Sequence, residues 1–206
     1  VTDGTPAGTR LLADLALTPL LTQDSNPTRF RKLGALTAFL THDSQTRDAT
    51  LWVSDGTAAG TRSVTAGFTV DGYAVTLADR IFLQIQDPVL GHVLLVSDGT
   101  PGGTRRLPIE APLSSGPAPL ALGDELILFL DKGGRPAVFA CDGSSVRLGR
   151  VLPGAMVARH PLRLGERIVF SVQGAGGTPE ELWSTDASAA GTEPLLGFAS
   201  ILASTR

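Results

Sequence analysis

Apolar residues along this chain come in short runs rich in β-branched and aromatic side chains, each bounded by polar or glycine-bearing turns, and no stretch carries helical spacing. The runs keep a fixed order. A short apolar strand, A, leads into a turn at Leu33-Gly34, Leu77-Ala78-Asp79-Arg80, Leu122-Gly123-Asp124-Glu125 or Leu164-Gly165-Glu166-Arg167. Strand B is expected at Thr37 to Thr41, Ile81 to Gln86, Leu126 to Leu130 and Ile168 to Val172. Strand C is expected at Thr50 to Ser54, Val93 to Ser97, Ala137 to Cys141 and Glu181 to Thr185. Strand D follows at Thr61 to Thr65, Thr104 to Ile109, Val146 to Val151 and Thr192 to Leu196, with Thr9 to Leu15 as an unaccompanied copy.

Between C and D the same residues recur: Thr2-Asp3-Gly4-Thr5, Ser54-Asp55-Gly56-Thr57, Ser97-Asp98-Gly99-Thr100, Cys141-Asp142-Gly143-Ser144 and Thr185-Asp186-Ala187-Ser188. Asp3 to Asp55 is 52 residues, and the following intervals, to Asp98, Asp142 and Asp186, are 43, 44 and 44. Four copies add a second Gly-Thr, at Gly8-Thr9, Gly60-Thr61, Gly103-Thr104 and Gly191-Thr192. The aspartate can accept backbone N–H bonds from residues ahead of it, glycine tolerates φ > 0, and the hydroxyls cap further donors, so the unit predicts a clip between C and D. The period suits one four-stranded blade. The fold class predicted is all-β: one β-propeller domain over 1–206, with antiparallel four-stranded blades at about 29–67, 72–110, 117–152 and 158–197 and a partial repeat at 1–15. A strand from Phe198 to Ala203 would join the N-terminal hairpin in a fifth blade. Otherwise the chain is part of a larger ring, finished by a partner chain or a missing segment.

With 17 basic and 20 acidic residues, net charge −3, the chain lacks the basic footprint of a nucleic-acid binder. No apolar run approaches the roughly 20 residues of a helical membrane span. Cys141 is the one cysteine, so no internal disulfide forms, and it reads as a buried thiol. The chain opens at Val1 in mid-repeat, as expected of a piece of something longer.

Glu181-Leu182-Trp183-Ser184-Thr185-Asp186, Leu51 to Thr61 and Val1 to Arg10 resemble the ELWxxDGTxxGT repeat of secreted and surface proteins of bacteria, notably myxobacteria. The resemblance covers essentially the whole chain as five copies. The Asp142 and Asp186 copies depart from the pattern, and Trp is kept only at Trp52 and Trp183. It implies a β-propeller-like module, secreted or at the cell surface, with no established enzymatic activity and no catalytic residues to carry over. The clip is more distantly similar to the Asp-box hairpin of propeller glycosidases, a structural turn away from the catalytic centre.

Each clip supplies one carboxylate where calcium takes about 6–8 oxygens, so neither metal nor cofactor is expected. Asp3, Gly4, Asp55, Gly56, Asp98, Gly99, Asp142, Gly143 and Asp186 are therefore read as turn residues. In a propeller the clips share a face with the A–B turns, which moves recognition to the opposite loops: 16–28, 42–49, 87–92, 111–116, 131–135, 154–160 and 173–180. There Asp43, Asp87 and Asp131 end strand B in three successive repeats, either as Asx-turn starters or as a shared acidic site. His42, His92 and His160 belong to three different repeats and would suit zinc only by converging. Trp52 and Trp183 are expected between blades, and Arg10, Arg62 and Arg105 to bridge motif carboxylates or meet solvent. The expected function is a non-enzymatic scaffold or recognition module binding a protein partner. The alternatives are a propeller lectin binding a surface glycan, against which 5% aromatic content weighs, and a glycosidase-like hydrolase with acidic residues at the channel mouth.

Overall fold

The apolar runs fold as antiparallel strands, fifteen among the described residues, with no helix there. The computed structural model describes residues 2–15, 26–43, 46–109, 116–153, 157–173 and 181–197. Four up-and-down meanders follow in chain order. The first holds β1 (Thr28–Leu33), β2 (Leu36–His42), β3 (Ala49–Ser54) and the first half of β4 (Arg62–Leu77). The second uses the rest of β4, then β5 (Arg80–Asp87), β6 (Gly91–Ser97) and β7 (Arg105–Pro108). The third is β8 (Leu120–Leu122), β9 (Glu125–Asp131), β10 (Pro136–Cys141) and β11 (Val146–Val151). The fourth is β12 (Val157–Leu164), β13 (Arg167–Gln173), β14 (Glu181–Thr185) and β15 (Glu193–Gly197).

Two expectations about strand limits change. The expected D strand of the first repeat and A strand of the second are one 16-residue strand, β4, which pairs with β3 through Phe68 and with β5 from Thr69 onward. Gly67, at φ 75°, lets the chain turn from one partner to the other without a break, and the two meanders share a seven-stranded sheet. Thr9 to Leu15 forms no strand: no described strand offers it a ladder, and Leu11 stands exposed. The Phe198 to Ala203 strand lies outside the described residues.

The chain divides into two compact units, Val1–Val70 with Ala74–Arg106, and Asp71–Tyr73 with Leu107–Arg206. Strand alternation gives each meander two faces, here called forward and rear by strand parity, the forward face of meanders one and three being the one that packs on the rear face of meanders two and four within the same unit. In the first unit, Leu33, Ala38, Leu40, Leu51 and Val53 on the forward face of meander one pack on Ile81, Leu83, Ile85, Val93 and Leu95 on the rear face of meander two. In the second unit, Ile127, Phe129, Val138 and Ala140 meet Ile168, Phe170, Val172 and Trp183 in the same way, with Phe129 and Phe170 tilted at 4.9 Å. The C–D ladders shift register at matching places, between Leu51 and Trp52, Val138 and Phe139, and Leu182 and Trp183. The same bulge position thus recurs in meanders one, three and four.

The A–B turns open on Gly34, Gly123 and Gly165, at φ 58°, 59° and 60°, whereas the β4–β5 turn places Ala78 at 48° and Asp79 at 55°. A left-handed L-residue costs about 1–2 kcal/mol, and the Ala78 methyl is exposed and gains no burial in return. Ala78→Gly is therefore expected to raise the thermal midpoint by about 2–4 °C, read by scanning calorimetry.

Candidate functional site

The clip is a closed hydrogen-bond circuit. At Asp98, Oδ1 accepts the Thr100 N–H at 2.8 Å and its hydroxyl at 2.7 Å, while Thr100 Oγ1 accepts the Gly103 N–H at 2.9 Å. Thr104 gives its hydroxyl proton to the Thr100 carbonyl at 2.6 Å. That proton being spent, the 2.7 Å contact between Ser97 and Thr104 hydroxyls runs from Ser97, whose Oγ in turn accepts the Gly99 N–H. The same circuit forms at Asp3 and Asp55. At Asp186, Thr185, Ser188 and Thr192 supply the hydroxyls.

The two glycines serve different ends. The first sits at φ 89–91° in the Asp3, Asp55 and Asp98 copies, and Ala187 takes that conformation at 72°. The second glycine lies outside the left-handed φ range, but a Cβ there would overlap the aspartate side chain, at Gly8, Gly60, Gly103 and Gly191 alike. The carboxylate lies where a side chain would be. The Asp142 copy lacks this glycine and turns more tightly: Asp142 Oδ1 accepts the N–H groups of Ser144 and Ser145 and the Ser144 hydroxyl. No hydroxyl is needed to complete a longer loop, and Cys141 Sγ, 3.4 Å from the Gly143 nitrogen, stands where the other copies have Ser or Thr.

These bonds favour the ionised acid. The threonine hydroxyl and then the threonine N–H hold Asp3, Asp55 and Asp98 below the usual carboxylate range, and Ser188 does so for Asp186. Asp142, with Ser144 N–H first and Ser145 N–H next, is lowered to about 2. A group whose folded pKa is depressed stabilises the fold above its unfolded pKa of about 4 and loses that contribution as pH falls through the folded value. Resistance to urea is thus expected to be flat down to about pH 4 and to decline toward pH 2, with Asp142→Asn reducing the slope. Each carboxylate is solvent-facing, so the individual contributions are small.

The clip also fastens one meander to the next. Arg62 in meander one donates to the Gly99 carbonyl at 3.2 Å, and Arg147 in meander three to that of Ala187 at 2.8 Å. A Cβ on Gly99 would lie 3.1 Å from Leu33 and 3.3 Å from Val53, and one on Gly149 would lie 2.7 Å from the Ala187 oxygen. Arg150 donates to the Ala189 and Thr192 carbonyls and rests 5.8 Å from the centre of the Trp183 ring. Arg62 acts through its charge on the motif carboxylate Asp55, while its hydrogen bond goes to a backbone oxygen of the following clip. Arg105 is exposed at the head of β7.

Among the loop residues, all three carboxylates start turns. Asp43 Oδ1 accepts the Thr46 N–H, Asp131 Oδ1 the Gly134 N–H, and Asp87 Oδ1 those of Val89 and Leu90, each at 2.8 Å. Asp87 differs in being 3% exposed and paired at 3.0 Å with Arg106, which also donates to Thr65 and Ala66 of β4. His42 Nε2 lies 3.0 Å from the Thr28 hydroxyl, and burial, then Arg29, lowers its pKa. His92 is a β6 residue opposite Gln86. His160 is not on a loop: it lies in β12 at φ 49°, on the bulge between Arg159 and Leu162, where a polar residue takes the left-handed turn of the extra position. Trp183 is buried, while Trp52 is half-buried and stacked on Phe39, which stacks in turn on Phe30 at 5.3 Å. Among the described residues, no three His, Cys, Asp or Glu side chains gather as a metal site, and no helix is long and apolar enough to cross a membrane. Loop positions 16–25, 44–45, 110–115, 154–156 and 174–180 lie outside the described residues.

No family model and no curated protein matches the chain. Among solved structures, it is similar to a prolyl endopeptidase, with TM-score 0.53 and 16% identity over 78% of this chain. It spans 24% of that enzyme's length, and the likeness is one of fold alone. An α-L-arabinofuranosidase from Clostridium thermocellum matches at 14% identity and TM-score 0.36, covering 88% of this chain and 74% of that one. An endo-arabinase from Bacteroides thetaiotaomicron matches at 10% and 0.34, covering 85% and 81%. At these scores neither supports an inference.

The residues that sequence reading passed over are those that tie strands together. Arg147 grips Glu125 through both oxygens, and Arg167 reaches Glu193, Ser184 and the Gly191 carbonyl. Glu125 and Arg167 occupy the same place at the head of strand B, so the two meanders carry one cross-link with its charges exchanged. The repeat alignment contains that signal.

Proposed function

We propose that the four meanders are blades of a β-propeller of the ELWxxDGTxxGT repeat type, acting outside the cell as a non-enzymatic scaffold that binds a protein partner. The carrying observation is that the polar side chains repeated in each clip are spent on the clip's own turn or on the adjoining meander. The three strand-B carboxylates likewise each hold a backbone turn rather than stand open for acid–base work. A sugar-binding reading has one observation in its favour, the 54% exposure of Phe30 at the end of an aromatic stack.

The test is a panel of p-nitrophenyl glycosides including the α-L-arabinofuranoside, linear arabinan and a fluorogenic prolyl peptide, together with a glycan array. No turnover and no retained glycan are expected. Hydrolysis above the buffer blank replaces the scaffold by an enzyme, and dose-dependent glycan retention replaces it by a lectin.

A further inference from the structure

Strand parity divides the apolar side chains of each meander between a rear and a forward face, and in both compact units a forward face is covered by the rear face of the meander after it. The forward face of meander four is different. Leu162 pairs with Val169 across β12 and β13, on the side opposite Ile168 and Phe170, and Leu164 shares that side. Leu162 and Leu164 are each 68% exposed, and Val169 and Leu182 on the same face are half-buried. The rear face of meander one carries a buried Phe39, a half-buried Trp52 and an exposed Phe30. Trp52 holds there the position that Trp183 holds in meander four, three residues before the clip aspartate, but Trp183 is sealed under meander three whereas Trp52 is half-buried and Phe30 beside the stack is exposed.

We propose that these two faces meet between copies of the chain: the aliphatic forward face of meander four in one copy covers the aromatic rear face of meander one in another, head to tail. This rests on reading the meanders as blades. The contact continues the forward-to-rear packing that already joins meanders one to two and three to four, which is the reason for choosing a second copy as occupant. One element of the internal junctions is missing. Where Arg62 heads strand D and donates to the next clip, the matching residue is Glu193, held by Arg167 on its own meander. The junction therefore relies on apolar contact, and it is reversible and concentration-dependent.

Sedimentation velocity of the full chain across the micromolar range tests this, with circular dichroism confirming that each variant is folded. Wild type is expected to associate. Leu164→Asp, disabling only the forward face, and Phe30→Asp, disabling only the rear face, are each expected to remain monomeric alone. An equimolar mixture of the two regains a heterodimer, because one intact forward face and one intact rear face remain. Glu193→Arg is expected to tighten association about tenfold by restoring the link to a clip carbonyl, here Gly56 of the second copy. A wild type that stays monomeric throughout overturns the proposal, since the faces are then covered within one chain or left bare. So does association that both single variants retain, which places the contact elsewhere, or a mixture that fails to complement. These outcomes are independent of the hydrolase and glycan assays, so failure here leaves the scaffold reading standing.

Discussion

Gly103→Ala is expected to destabilise the chain by about 1–2 kcal/mol, and to do so only while Asp98 keeps its carboxylate. The φ of Gly103 is one that alanine adopts without strain, so propensity alone predicts no loss at this exposed turn. The loss comes from occupancy: a Cβ would overlap the Asp98 side chain, which leaves the turn and gives up the Thr100 N–H and the Thr100 hydroxyl. Each such bond is worth about 1 kcal/mol net. Two controls isolate the cause. Gly102→Ala, with nothing within 4 Å of the place its methyl would take, is expected to change stability by less than about 0.5 kcal/mol. In an Asp98→Ala background, the space the methyl needs is already empty, so Gly103→Ala falls to a similar small value and the double-mutant cycle is strongly non-additive. Urea titration reads all four corners. An additive cycle would show that the second glycine is kept for its backbone freedom instead.

Much of this clip was legible in the sequence, because its chemistry is local. Asp-Gly-Thr requires an Asx-turn and a left-handed residue whatever lies around it, and the strands expected to flank it, Val93 to Ser97 and Thr104 to Ile109, form at Gly91–Ser97 and Arg105–Pro108. The reason for the second glycine was less legible, since a closing turn and a close side-chain approach leave the same letter. Placement across meanders was not legible at all. The sequence places Arg62 near the Asp55 carboxylate but not near the Gly99 carbonyl, which lies 37 residues on and enters its reach only when the forward face of meander one is packed. His160 looked like a loop residue because the polar stretch before it hides where β12 begins, and a bulge has no fixed sequence signature. Asp43 and Asp87 stand seven residues from the head of strand B whereas Asp131 stands six, a one-residue offset that places it on the other face, and the sequence cannot separate the buried Asp87 from the other two.

That separation leads to the second large effect: Arg106→Met is expected to lower the thermal midpoint by about 5–10 °C. Asp87 Oδ1 is satisfied by two backbone N–H groups, but buried Oδ2 has no aligned hydrogen bond and depends on the Arg106 charge 3.0 Å away. Methionine keeps much of the packing volume of the arginine stem and removes the charge, leaving a carboxylate oxygen buried beside an apolar chain. The same change releases Thr65 and the Ala66 carbonyl on β4, so the β5–β6 loop, β7 and the middle of the long strand lose their common tie. Because Arg106 is one-third exposed, solvent reaches the pair from one side and the effect stays at the lower end of that for a buried ion pair. Adding Asp87→Asn to Arg106→Met is expected to recover part of the loss, since asparagine keeps the oxygen that holds Val89 and Leu90 and carries no charge to strand. Acid distinguishes the same states. The N–H groups of Leu90 and Val89, with Arg106 helping, hold the Asp87 pKa below its ordinary value. The wild-type advantage over the double variant is therefore full above about pH 4 and shrinks as the pH falls through the folded pKa. Equal midpoints for the single and double variants at neutral pH would mean that Arg106 acts through its bonds to β4 alone, and that the Asp87 charge is already satisfied by the turn it starts.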